Sequence, residues 1–182
     1  MNFVEPIRDS NKVRNLANYL RKYSERNYVM FIIGTNSGLR ISDILNLRVR
    51  DVKGKEFISI REKKTGKQRI FPMTPILKKE LKEYCKDKDL DDFLIKSQQG
   101  YNNPISRVRA YTILREAGET LGLYNLGTHT LRKTFGYHFY MQYKDVIMLQ
   151  KIFNHSDPSV TLHYIGVEQS HINKMIKGFK IY

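Results

Sequence analysis

Apolar residues recur at spacings of three and four along most of this 182-residue chain, and the spacing falls to two only in a stretch between Val49 and Met73. A period near 3.6 lines one face of a helix, whereas a period of two lines one face of a strand. The chain is therefore expected to be mainly α with a small antiparallel β-sheet, an α+β fold.

The helical stretches carry their own punctuation. Ser10 reads as an N-cap before Val13, Leu16, Ala17, Leu20 and Tyr23. A second helix should run from about Glu25 through the apolar run at 28–33 and stop near Gly38, where glycine tolerates the left-handed geometry that ends helices. A short third helix follows over 42–47, so Arg40 sits at a sharp junction. The alternating segments EFISIR (56–61) and QRIFPM (68–73) predict a hairpin, with a short extra strand near Val49 to Val52. Thr74-Pro75, Ser106, Thr128 and Asp157-Pro158 read as further helix starts. A helix from Thr128 to about Tyr143 and another over 144–153 are expected. The compact domain should span 1–166. Beyond it, Ile172, Met175, Ile176 and Phe179 line one face of a tail over 167–182, which can dock on its own domain or on a neighbouring copy.

Charge narrows the partners. Lys and Arg number 32 against 18 Asp and Glu, a net +14, which points to a polyanion and first to nucleic acid. No stretch approaches the roughly 18 apolar residues of a membrane span, and the first residues lack a signal-peptide core, so a cytoplasmic protein is expected. The single cysteine, Cys85, excludes an intrachain disulfide and a cysteine zinc cluster, and reads as a core residue.

His129 and Arg132 stand three apart and share one helix face, near helix-start amides that favour anions. Both can reach one phosphate. Arg40 is held between rigid neighbours and can aim inward, or it can form a surface salt bridge with Asp43. The hairpin turn carries Arg61, Lys63, Lys64, Lys67 and Arg69 against one acid, Glu62. It reads equally as a basic finger toward DNA or as a solvated turn that protects a sheet edge. Arg107 and Arg109 are left facing solvent or DNA on a helix whose Ala110, Leu114, Ala117 and Leu121 face the core.

SGLRISDILNL with Arg40, KKTGK with Lys64, HTLR with His129 and Arg132, and NHSDPSVTLHY with His155 and Tyr164 occur in that order. Together they resemble the tyrosine recombinases, or phage integrase family, from about Met30 to Ile165. The resemblance implies that family's catalytic-domain fold. It also implies a site-specific DNA recombinase or integrase in which Tyr164 forms a covalent 3′-phosphotyrosine, with neither metal nor ATP and no cofactor. A phosphodiester repels nucleophiles, and charge grows as one attacks; two guanidinium forks and an imidazole neutralise that charge. Arg40, Arg132 and His155 fit this role. A tyrosine hydroxyl, with an ordinary pKa of about 10, needs its proton removed, and His129 is placed to take it or to orient its acceptor. Lys64 would protonate the leaving 5′ oxygen, with Lys63 and Lys67 close by. Lys63, Lys67, Arg69, Arg107 and Arg109 are the expected DNA contacts.

By the same resemblance, the partners are double-stranded DNA, further copies of the chain in a tetramer on DNA, and an accessory DNA-bending protein; in a bacterium the protein would associate with the nucleoid. Asn154 departs from the glycine that many relatives carry before the histidine. Most relatives also have an N-terminal DNA-clamping domain, and this chain begins almost at the catalytic domain. Either that domain has been removed or the chain belongs with short recombinases, which would bind DNA weakly alone. A type IB topoisomerase-like enzyme and a DNA-binding regulator that lost catalysis are the competing readings. A zinc site from His129, His155 and His163 lacks an acidic or cysteine partner at ligand spacing.

Overall fold

The computed structural model describes residues 4–61, 66, 68–167 and 176–181. Helix α1 spans Ser10–Tyr23, α2 Glu25–Ser37 and α3 Ile41–Asn46; the strands are β1, Phe57–Arg61, and β2, Gln68–Pro72. They are followed by α4, Pro75–Tyr84, α5, Arg107–Thr120, α6, Thr128–Tyr143, α7, Val146–Phe153, and α8, Pro158–Ile165. None of the described helices is long and apolar enough to cross a membrane.

The run at 28–33 explains the centre of the molecule. All six of its residues are buried, so this stretch of α2 presents no polar face, and the helix is surrounded by α1, α3, α4 and α6. Around it lies the main core, to which α5 adds Ala110, Leu114 and Ala117 and the hairpin adds Ile58 and Phe71. Ile58 pairs directly with Phe71 in the antiparallel ladder, so the two-residue alternation delivers both side chains to the same inner face. Cys85 belongs to this core, and burial pushes its thiol up to about 11. A smaller cluster of Leu149, Phe153, Ile165 and Val167 packs α7 and α8 beneath α6, with Phe135, Tyr140 and Tyr164 at its margin.

Local chemistry moved several expected boundaries. The extra strand near Val49 is instead a 3-10 turn, Val49–Asp51, because the Asp51 carboxylate accepts from the Arg48 amide at 2.7 Å and curls the segment. The neighbouring backbone still pairs across to residues 90–94, through Val49 N–H to Asp92 O at 2.9 Å and Leu94 N–H to Leu47 O at 2.8 Å. Asp9, rather than Ser10, caps α1 by accepting from the Asn11 amide. Lys144 does not start α7: it takes the left-handed conformation that closes α6, and Asp145 caps the next helix through the Met148 amide. In the tail, Ile172 and Met175 lie outside the described residues, while Ile176 and Phe179 are exposed.

An N-terminal segment crosses the end of the molecule that holds α6 and α8. The Ile7 amide donates to Thr134 Oγ1 at 2.9 Å, His138 Nε2 meets the Ile7 carbonyl at 2.9 Å, and Arg8 donates to the Gly166 carbonyl at 3.2 Å. Residues 4–8 thus tie the end of α8 to the middle of α6.

Candidate active site

Helix α6 begins where Gly127 and Thr130 close on each other: the Thr130 hydroxyl accepts from the Gly127 amide at 3.0 Å, and the Thr130 amide donates to the Gly127 carbonyl at 3.0 Å. That closure orients the first turn, which carries His129 outward and Arg132 inward. Arg132 is 3% exposed. Its guanidinium donates to the Gly38 carbonyl at 2.6 Å and the Phe153 carbonyl at 2.8 Å, and lies 4.2 Å above the Phe153 ring. One side chain thereby joins the C-terminal ends of α2 and α7 to α6.

The two turns pinned by Arg132 carry the next residues of the site. Gly38 adopts φ 64, ψ 17, which a glycine takes without penalty, and two residues on Arg40 stands at the N-cap of α3, half-buried. At the other turn, Asn154 closes α7 at φ 53, ψ 46, and His155 follows. Asparagine is the non-glycine residue most at home in this region, so its replacement of the family's glycine preserves the turn. His155 Nδ1 lies 3.0 Å from Thr161 Oγ1, which fixes the imidazole against the body of α8.

Tyr164 completes the cluster. Its hydroxyl lies 3.2 Å from His129 Nδ1, and its ring meets that of His155 edge-on, at 5.2 Å between centroids and 75° between planes. The spacings alone left open whether these two pairs meet; α8 folds back on α6 and brings them together. Burial raises the Tyr164 hydroxyl above its ordinary pKa, with Arg132 and Arg40 opposing the rise. The nucleophile candidate is thus a neutral phenol at rest. Burial lowers both imidazoles, helped at His129 by Arg132, Lys133, Arg107 and Arg40, and at His155, pushed down to about 4, by Arg132 and Arg40. A neutral imidazole with its proton on Nε2 presents Nδ1 as an acceptor to the phenol. Arg40 acts electrostatically on His129, His155 and Tyr164 alike, opposing a positive charge on either imidazole and favouring the phenolate.

The other expected residues fall at different places. Lys63, Lys64 and Lys67 lie outside the described residues. Arg69 turns toward the end of α7, donating to the carbonyls of Lys151 at 3.2 Å and Ile152 at 2.6 Å, and its cation lies 5.0 Å above Phe71. Arg107 and Arg109 are exposed at the start of α5, whose Ser106 hydroxyl accepts from the Arg109 amide at 3.0 Å. Asp43 is buried in the first turn of α3. His163 is exposed on α8, and His138 holds the N-terminal segment. Among the described residues no three His, Cys, Asp or Glu side chains group to hold a metal. Sequence reasoning missed Lys133 and Thr161. Lys133 stands four residues after His129, on the same helix face, and that spacing was the available signal.

The phage integrase family profile matches residues 8–171. The chain belongs to that family. It is similar, at 48% identity over 98% of each chain, to a Bacillus subtilis (strain 168) protein named "Probable integrase/recombinase YoeC". It is also similar, at 28% identity over 86% of this chain, to tyrosine recombinase XerA of Pyrococcus horikoshii, of which it spans only 55%. Among solved structures, a crystal structure of XerA recombinase aligns with a TM-score of 0.77 at 20% identity, over 99% of this chain and 68% of that one. XerH site-specific recombinase, bound to a palindromic difH substrate in a post-cleavage complex, aligns with a TM-score of 0.73 at 20% identity, over 96% and 53%. The fold is that of the tyrosine recombinase catalytic domain, and the enzyme class is recombinase.

Proposed function

We propose that the protein is a site-specific DNA recombinase that cuts and rejoins double-stranded DNA through a 3′-phosphotyrosine at Tyr164, without metal or ATP. The observation that carries this reading is the 3.2 Å contact between His129 Nδ1 and the Tyr164 hydroxyl, beside Arg132 and His155. The Tyr164 oxygen forms the new bond to phosphorus while the bond to the 5′ oxygen breaks. His129 takes the phenolic proton, and a hairpin lysine, Lys64 by family resemblance, returns one to the leaving oxygen. Arg40, Arg132 and His155 hold the phosphoryl oxygens, where preorganised donors stabilise charge that grows in the transition state.

Lys63, Lys67, Arg69, Arg107 and Arg109 are proposed to contact DNA. The assembly is proposed to be a tetramer on DNA in the cytoplasm, at the nucleoid if the host is bacterial, assisted by a DNA-bending protein. The test is covalent capture from a library of randomised nicked duplexes, with chelator present and ATP absent, recovered under denaturing conditions. Wild type should yield adducts on the Tyr164 peptide, and Tyr164→Phe should yield none while retaining DNA binding. An adduct that persists in Tyr164→Phe would sink the assignment. Recovered sites that, placed in a supercoiled plasmid, are relaxed but never exchanged between DNA molecules would favour the topoisomerase-like reading.

A further inference from the structure

Lys133 is a buried cation that the proposed chemistry leaves unused. It is 8% exposed, one residue after Arg132 and four after His129 on α6. Residues four apart on a helix are side-by-side neighbours, and Tyr164 lies along the face they share. The hydroxyl end of Tyr164 meets His129 Nδ1 at 3.2 Å, and Lys133 Nζ stands 5.2 Å from the centroid of the same ring. An ammonium within about 6 Å of an aromatic face is attracted to the ring's electron density. The attraction grows as the phenol loses its proton and the ring becomes richer in electrons.

We propose that Lys133 is a positioning residue of this site: its buried ammonium holds the Tyr164 ring against His129 and biases that imidazole toward its proton-accepting form. The charged and titratable groups around the pair come from several elements. Helix α6 supplies His129, Arg132 and Lys133, the α2–α3 junction Arg40 and the start of α5 Arg107, while His155 in the turn before α8 is held neutral. The N-terminal segment supplies the opposing group: Glu5 favours the charged form of Lys133, which burial alone would disfavour. The positive groups make protonation of His129 costly, and Lys133 is the one among them that also touches the Tyr164 ring in this manner. Methionine at position 133 would keep much of the bulk and remove the charge, whereas arginine would keep the charge.

The inference rests on reading Tyr164 as the nucleophile, but its test needs no DNA. Histidine titration by NMR on the intact protein, with His129 assigned through His129→Asn, reads the electrostatic effect. In Lys133→Met the His129 midpoint should rise by about one pH unit, and in Lys133→Arg it should stay near the wild-type value. The contact itself is read from the Lys133 protons beside the nitrogen, which the ring current should displace upfield in wild type and release in Tyr164→Leu. Should Lys133→Met fail to fold, Lys133→Gln replaces it, removing the charge while keeping a polar group; the His129 midpoint should again rise. A midpoint unmoved in Lys133→Met or in Lys133→Gln, one moved equally far in Lys133→Arg, or Lys133 signals unchanged in Tyr164→Leu overturns the proposal. Failure of the covalent-capture assay would instead sink the nucleophile reading and leave these shifts in place.

Discussion

The Arg132 guanidinium lies 2.6 Å from the carbonyl oxygen of Gly38, 94 residues earlier in the chain. With its second bond to Phe153, it locks together the turns that introduce Arg40 and His155. The residue expected to grip phosphate is therefore also the tie that sets where its companions stand. Arg132→Lys keeps a positive charge but loses the planar fork, and a single ammonium cannot satisfy two carbonyls on opposite sides. This variant should lose roughly 2–4 kcal/mol of stability, since the remaining carbonyls stay buried. Urea unfolding measures the loss, and covalent capture should fall by at least about 100-fold, or roughly 2.7 kcal/mol in the barrier.

Acid should weaken the fold through its histidines. His155, at about 4, and His129, also lowered, bind protons less readily in the folded chain than in the unfolded one. Above the ordinary histidine pKa of about 6.5 both states are neutral and this contribution to stability is fully present. As pH falls from there toward 4, the unfolded state takes up protons first and stability declines. The urea midpoint should drop across that window, and His155→Gln should flatten the drop. A midpoint independent of pH between 4 and 7 in wild type would contradict this account.

The turn at Asn154 gives a sharper backbone test. Its φ of 53 places it in the left-handed region, where a β-branched residue is strained. Asn154→Gly should be nearly neutral in stability and in adduct formation. Asn154→Val should cost about 1–2 kcal/mol and slow adduct formation by turning His155 away from Thr161. Thermal unfolding alongside covalent capture separates the two effects.

Much of this architecture was legible in the residues. The unbroken apolar run at 28–33 has no polar face, so it had to become the central helix, and the alternation of Ile58 with Ile60 and of Phe71 with Met73 had to become strands. Proline after threonine or aspartate marked the starts of α4 and α8, because proline's ring presets the first helical residue. The segment at Val49 was misread because its apolar spacing suits a strand, while a single side-chain bond from Asp51 chose a turn. Arg40, His129, Arg132, His155 and Tyr164 were found as short motifs; their convergence was not, since it depends on α8 folding back across α6. Lys133 escaped notice because a lysine four residues from a histidine ordinarily sits in solvent, whereas here it is buried with its ammonium over the Tyr164 ring.

That folding-back depends on Gly136, and it yields the last test. A Cβ added there would lie 2.6 Å from the Phe153 ring and 2.7 Å from Ile165, closer than side chains pack. Phe153 closes α7 one residue before Asn154, and Ile165 follows Tyr164 directly, so both helices that carry the site rest on this bare stretch of α6. Gly136→Ala gains helix propensity worth about 1 kcal/mol, yet the overpacking should cost about 1–3 kcal/mol. The net change in stability should be small or modestly unfavourable. The effect on chemistry should be much larger, because displacing α8 by even part of an ångström lengthens the contact between Tyr164 and His129. Covalent capture should fall by about 100-fold while DNA binding, measured by fluorescence anisotropy on the same duplex, stays within a few-fold of wild type. Equal losses in both assays would mean that Gly136 supports the whole domain rather than the placement of its nucleophile.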